Sequence, residues 1–124
     1  MAENKKMSDA ELEIMKIVWE SGSPLLFARI MEALNEKGIT WQKNTLITLL
    51  SRLMGKGYLK ANKRGRKNEY APLVTEQEFQ SVQTKTFVDK VYQGNVSGLI
   101  NRLVENDMLT EAEYDELKKI LEVK

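Results

Sequence analysis

Behind Ser8 the apolar residues Leu12, Met15, Val18 and Trp19 return every three or four positions, the spacing that puts side chains on one face of an α-helix. Ser8 and Glu11 stand at capping-box spacing, where each side chain satisfies a backbone N–H that a helix start leaves open. A first helix is therefore expected from about Asp9 to Glu20, ended by Ser21-Gly22-Ser23-Pro24. Phe27, Ile30, Met31 and Leu34 predict a second helix closed by Gly38, with a poorly marked start because Leu25 and Leu26 are not caps. A third should run from roughly Gln42 to Lys56. It would carry Leu46, Leu49, Leu50 and Leu53 on one face and Asn44, Thr45, Thr48, Ser51 and Arg52 on the other.

Past Gly55 and Gly57 the period changes. From Tyr58 to Lys63, Leu59 and Ala61 alternate with Lys60 and Asn62, as in a half-buried strand. Arg64-Gly65-Arg66-Lys67 reads as a turn, and Glu69-Tyr70-Ala71 as the returning strand, stopped by Pro72. Three helices followed by a hairpin is the arrangement of a winged helix-turn-helix. The remainder is helical by pattern. Thr75 with Glu78 forms a second capping box, opening a helix through Phe79, Val82, Phe87 and Val91 to Gly94. A middle segment carries Leu99, Ile100, Leu103 and Val104. Thr110 with Glu113 opens a last helix bearing Tyr114, Leu117, Ile120 and Leu121. The expected fold is mainly α with a small β wing: a winged helix over residues 1–73 and a helical region over 74–124.

Composition narrows the chemistry. The 124 residues, 42% hydrophobic and 30% charged, suit one small globular domain or one with an appended element. The start, Met1 to Lys6, is polar, unlike a secretory leader, and no stretch has the length of a membrane span, so a cytoplasmic protein without a membrane partner is expected. The chain has no Cys and no His. A Ser-His-Asp or Cys-His nucleophile cannot be built, and an ordinary zinc site would need carboxylates alone. No carboxylate pair or phosphate-cradling loop stands out, so neither catalytic residues nor a metal or cofactor site is assigned.

The net charge of +1 conceals an asymmetry. Residues 1–73 hold 13 Lys or Arg against 8 Asp or Glu, a net +5, whereas residues 74–124 hold 6 against 10, a net −4. From Lys37 to Lys67 there are nine basic residues and no acidic one. A solvated surface normally mixes signs, so this run reads either as a local excess or as the footprint of a polyanion.

Position favours the polyanion. An α-helix fits the major groove of B-DNA, where base edges present distinct donors, acceptors and methyl groups. On the third helix, Asn44 suits an adenine edge, Arg52 a guanine or phosphate, and the methyls of Thr45 and Thr48 a thymine. Lys43 and the open N–H groups of the first turn suit a phosphate. An ordinary amphipathic surface helix also exposes Thr, Ser and Arg, so the helix alone does not separate the two readings. The turn does more: Arg64, Arg66 and Lys67 gather cations at a hairpin tip, where a phosphate backbone or narrow minor groove supplies the missing anion. A charged turn that merely blunts a sheet edge is the plainer alternative. Helix face, basic turn and acid-free run together favour double-stranded DNA. A winged-helix adaptor docking an acidic protein or RNA shares the fold and remains the second reading. Trp19 and Trp41 are expected in packing roles. The acidic helical region, with Phe79, Phe87, Leu99, Leu103, Leu117 and Leu121, must bury its apolar faces either in a homodimer or against its own winged helix, and the little core a winged helix offers favours the dimer.

These residues resemble the penicillinase-repressor family of winged-helix transcriptional repressors, which has copper-responsive relatives. Ser8-Asp9-Ala10-Glu11-Leu12-Glu13-Ile14-Met15 with Trp19 is similar to its first helix. Trp41, Thr45, Leu49-Leu50-Ser51-Arg52-Leu53 and Lys56-Gly57 are similar to its recognition helix; Gly65-Arg66, Tyr70 and Pro72-Leu73-Val74 to its wing and exit. Phe87, Gly94, Leu109, Thr110, Glu116-Leu117 and Ile120-Leu121 continue the match. The resemblance implies a homodimer on an inverted-repeat operator, repressing genes until an upstream sensor or protease removes it. It implies Lys43, Asn44, Thr45, Thr48 and Arg52 as the DNA-reading group, with Arg66 at the wing. Ile100, Val104, Leu109 and Ile120 join the dimerisation set. Three departures stand out. Gln42 occupies the place of a Ser cap. The Cys cluster of the copper-responsive relatives is absent. Asn101 falls where β-lactam-linked members are cut, but Arg102 follows it instead of a bulky apolar residue.

Overall fold

A computed structural model describes residues 6–123 of the chain. The elements run α1 (Asp9–Ser21), β1 (Leu25–Leu26), α2 (Phe27–Glu36), α3 (Lys43–Gly55), β2 (Leu59–Arg64), β3 (Lys67–Pro72), α4 (Glu76–Tyr92), α5 (Val96–Glu105) and α6 (Glu111–Val123). They fall into two compact units that meet between Phe79 and Gln80.

In the first unit α1 starts as its sequence dictates. Ser8 Oγ accepts from Glu11 N at 3.1 Å, and Glu11 Oε1 accepts from Ser8 N at 2.8 Å. Gly22 ends the helix in the left-handed region at φ 72°, where a residue without Cβ sits unstrained. Its N–H donates to Trp19 O. The core joins Ile14, Met15, Ile17 and Val18 of α1 to Ile30 and Leu34 of α2, to the four leucines of α3, and to Tyr58, Leu59 and Tyr70. Trp19 and Trp41 pack at its edge, half-buried.

The sheet has order β1-β3-β2, antiparallel throughout. β1 has no counterpart in the sequence pattern, because two residues cannot display a period. Leu25 pairs with Tyr70 and Leu26 with Glu69, and this pairing steers the chain into α2 although Leu26 provides no side-chain cap. The β2–β3 hairpin closes through Gly65-Arg66, with Gly65 at φ 66°. The half-buried alternation expected of β2 extends no further than Leu59. Ala61 is exposed although its partner on β3, Tyr70, is buried: beyond Leu59 no described residue covers β2, and the rest of the hairpin projects as a wing.

The chain leaves this unit through a group of packed aromatics. Thr75 and Glu78 form the expected capping box at the start of α4. Trp19 Nε1 donates to Val74 O at 2.9 Å, and the Phe79 ring lies 5.5 Å from that of Trp19 and 6.0 Å from that of Tyr58. Phe79, expected among the dimerisation residues, thus packs against the winged-helix core.

In the second unit, Asn95 caps α5 through Gly98 N, and Thr110 and Glu113 form the third capping box. Val88 is the single described apolar residue there that is fully buried. Leu99, Leu103, Leu109 and Leu117 are half-buried, while Val82, Phe87, Val91, Val96, Ile100, Val104, Met108, Tyr114, Ile120 and Leu121 are exposed.

Candidate nucleic-acid interface

The interface is built on α3. Leu46, Leu49, Leu50 and Leu53 anchor it in the core, and the same 100° periodicity leaves Lys43, Asn44, Thr45, Thr48, Ser51 and Arg52 exposed. Asn44, Thr45, Thr48 and Arg52 line one shallow surface hollow whose floor includes Leu49. The helix begins at Lys43, one residue later than the pattern suggested, and Gln42 makes no side-chain cap. Open N–H groups therefore remain in the first turn, beside the Lys43 ammonium.

Electrostatics sort the nine basic residues of the acid-free run into two sets. Three find acidic partners elsewhere in the chain. Lys37 Nζ lies 3.9 Å from Glu20, and Arg64 Nη1 lies 3.5 Å from Glu69 on the facing wing strand. Arg64 is largely exposed, so this pairing contributes little and leaves the guanidinium accessible. Among the described residues, Lys43, Arg52, Lys60, Lys63, Arg66 and Lys67 have no acidic partner. All six are exposed, two on α3 and four on the wing. Lys60 and Lys63 were counted in the basic run but not singled out; their signal is position on a strand that stands clear of the core.

The third pair is structural. Glu11 is 1% exposed, and its Oε1 accepts from Lys56 Nζ at 2.6 Å as well as from Ser8 N. Lys56 is the C-terminal cap of α3 and also donates to Lys6 O at 2.8 Å. Burial pushes the Glu11 carboxyl up. The hydrogen bonds from Lys56 and Ser8, with the Lys56 charge, outweigh it and hold the group below the usual carboxylate range. The pair fastens the end of α3 to the start of α1. Beside it, burial, reinforced by the Glu11 charge, raises the pKa of the Tyr58 hydroxyl.

Among the described residues no three potential metal ligands cluster, and no buried side-chain polar atom lacks a partner. No described helix is long and apolar enough to cross a membrane.

A three-helix core with a two-stranded basic wing, and a helix whose polar face stands opposite its leucines, defines a winged-helix protein. The sequence pattern of the penicillinase repressor family matches residues 7–123, and the chain belongs to that family, one of transcriptional repressors and not of enzymes. It is 37% identical to a penicillinase repressor of Bacillus licheniformis over 117 residues, 94% of this chain and 90% of that protein. Two solution structures superpose on 63% of the chain, covering 93% of their own lengths at 37% identity. They are the DNA-binding domain of the repressor BlaI, at a TM-score of 0.54, and the monomeric form of Bacillus licheniformis BlaI in complex with the blaP half-operator, at 0.52.

Proposed function

We propose that this repressor acts as a homodimer on an inverted-repeat DNA operator and is released by an upstream signal. In this reading α3 enters the major groove, where Asn44, Thr45, Thr48 and Arg52 meet base edges and Lys43 meets a phosphate. Arg64, Arg66 and Lys67 carry the wing onto the backbone or adjacent minor groove. The observation that carries the proposal is the exposed polar face of α3 in one unit with a wing on which Lys60, Lys63, Arg66 and Lys67 have no acidic partner among the described residues. That the similar Bacillus licheniformis BlaI is in complex with a half-operator supports DNA as the partner.

Residues 1–73 would serve DNA binding and 74–124 dimerisation. Phe87, Leu99, Ile100, Leu103, Val104, Leu109, Leu117, Ile120 and Leu121 are the residues that a second copy would cover. Support comes from the exposure of Phe87, Ile100, Val104, Ile120 and Leu121: helices that leave this many apolar side chains open in one chain bury them by association, and a two-fold pair presents two α3 helices to two half-sites. Release by a sensor or protease belongs to the same reading, with Asn101 and Arg102 both exposed in α5.

Selection of random duplex DNA by the purified protein at about 0.15 M salt, where non-specific phosphate binding is weakened, tests the proposal. A two-fold-symmetric enriched site, with a dimer by sedimentation, is the expected result. Retention of DNA only at low salt and without sequence preference would overturn it in favour of an adaptor for acidic protein or RNA.

A further inference from the structure

The DNA-facing side of α3 holds one residue that its polar pattern does not account for. Ile47 is 47% exposed, and it is absent from the apolar side chains that pack against the core. Its helical position places Lys43 one turn before it, Ser51 one turn after it, and Asn44 beside it, all of them exposed. Neither of the usual reasons for isoleucine applies. It is not buried, and its branched Cβ makes it a poorer helix former than Leu or Ala at a solvent-facing site. Among the large exposed apolar residues of the first unit it has one companion, Leu73, which lies past the end of β3 and away from the helix.

We infer that Ile47 reads DNA directly, its branched side chain packing on the C5-methyl group of a thymine in the major groove. This rests on the proposed binding of α3 to the major groove. The methyl is the one apolar feature that a base edge presents there, and it separates thymine from the other three bases. An apolar side chain among polar ones on a groove-facing helix meets either that methyl or water. Its contact with the methyl removes apolar surface from water on both partners. Asn44, beside Ile47 on the helix surface, supplies a polar contact to a neighbouring edge. Ile47 would therefore fix a thymine at one position of each half-site, a preference that hydrogen-bonding residues alone would not impose.

The test substitutes deoxyuridine for each thymine of the selected operator in turn. This deletes the methyl and leaves every hydrogen-bonding group in place. For the wild-type protein, the thymine that Ile47 meets in each half-site should show about a fourfold loss of affinity, the value of one buried methyl-sized group, apart from any thymine met by the methyls of Thr45 and Thr48. Ile47→Ala should bind the thymine operator more weakly and lose its sensitivity to deoxyuridine at that position only. Because Ile47 lies outside the core, the variant keeps its fold, checked by circular dichroism and an unchanged unfolding midpoint. An operator in which no thymine methyl matters to the wild type overturns the inference. So does a deoxyuridine effect that persists unchanged in Ile47→Ala. Both outcomes leave the repressor reading standing. A selection that enriches no site removes that reading and this one together.

Discussion

Replacing Lys56 by methionine tests the internal ion pair that holds α3 against α1. Methionine keeps most of the alkyl stem and removes the charge, so packing changes little. In the native protein the Glu11 carboxylate is almost wholly buried and accepts from Lys56 Nζ at 2.6 Å and Ser8 N at 2.8 Å. Without Lys56 the buried carboxylate keeps its capping-box hydrogen bond from Ser8 N but loses its cation. Stranding such a charge costs about 3–5 kcal/mol when water is fully excluded. The Lys56 side chain is 22% exposed, so water reaches the vacated site, and a cost of about 2–3 kcal/mol is expected. Glu11→Gln should cost less, about 1 kcal/mol. Glutamine at this position can still complete the capping box, and Lys56 keeps the Lys6 carbonyl and solvent. The double variant no longer buries a stranded charge. It should be about 2 kcal/mol more stable than the sum of the single effects predicts.

Urea unfolding at one fixed protomer concentration measures the cycle, since the stability of any self-associating protein depends on concentration. The pH dependence gives an independent check. Glu11 titrates below its ordinary value of 4.5 in the folded protein. Its contribution is thus fully present above that value and is lost as pH falls through the folded pKa. In Lys56→Met, burial without a cation should raise the pKa instead. Acidification toward and through 4.5 should then partly restore the variant relative to wild type. Additivity of the two substitutions within about 0.5 kcal/mol, or parallel pH profiles for wild type and Lys56→Met, would refute the coupling.

The other predictions concern binding and the junction. Arg52→Ala should weaken operator binding by about 1–3 kcal/mol in a fluorescence-anisotropy titration, and unchanged affinity would remove Arg52 from the reading group. Arg66→Ala should lower affinity for every sequence alike and reduce the slope of log K against log salt by about one, the share of a single neutralised phosphate; an unaltered slope would mean the wing touches no phosphate. Phe79→Ala should destabilise the first unit by about 2–3 kcal/mol, below the full cost of a buried phenylalanine because the ring is only half-buried. Loss of dimerisation with unchanged thermal stability would place Phe79 in an interface instead.

Features that depend on a few neighbouring residues were legible in the sequence. The three capping boxes at Ser8, Thr75 and Thr110 form as spaced, since each needs only a hydroxyl and a carboxylate three positions apart. The two faces of α3 followed from one period acting over four leucines. What was not legible depends on where distant segments meet. β1 exists because Leu25 and Leu26 lie beside Tyr70 and Glu69, some 44 positions on, and two residues carry no period of their own. Ala61 has the alternation of a buried residue yet is exposed, because alternation says which face a side chain takes and not whether anything covers that face.

Charge shows the same limit, with consequences for the interface. The acid-free run counts Lys56 with Arg66, but the fold separates them. Lys56 turns inward to a carboxylate 45 positions earlier, while Arg66 stays at the wing tip with no acidic partner among the described residues. Glu11 has a double role that only the fold reveals: its side chain completes a helix cap and also supplies the counter-charge for Lys56 at the end of α3. A count of basic residues therefore overstates the binding surface by those the protein uses on itself. In the proposed reading the polyanion is left the six cations that no described carboxylate engages, together with Arg64, whose pairing leaves its guanidinium accessible. If phosphate binding follows that division, alanine at Lys43, Lys60, Lys63, Arg66 or Lys67 flattens the salt dependence of binding, whereas Lys56→Met leaves the slope unchanged and lowers stability.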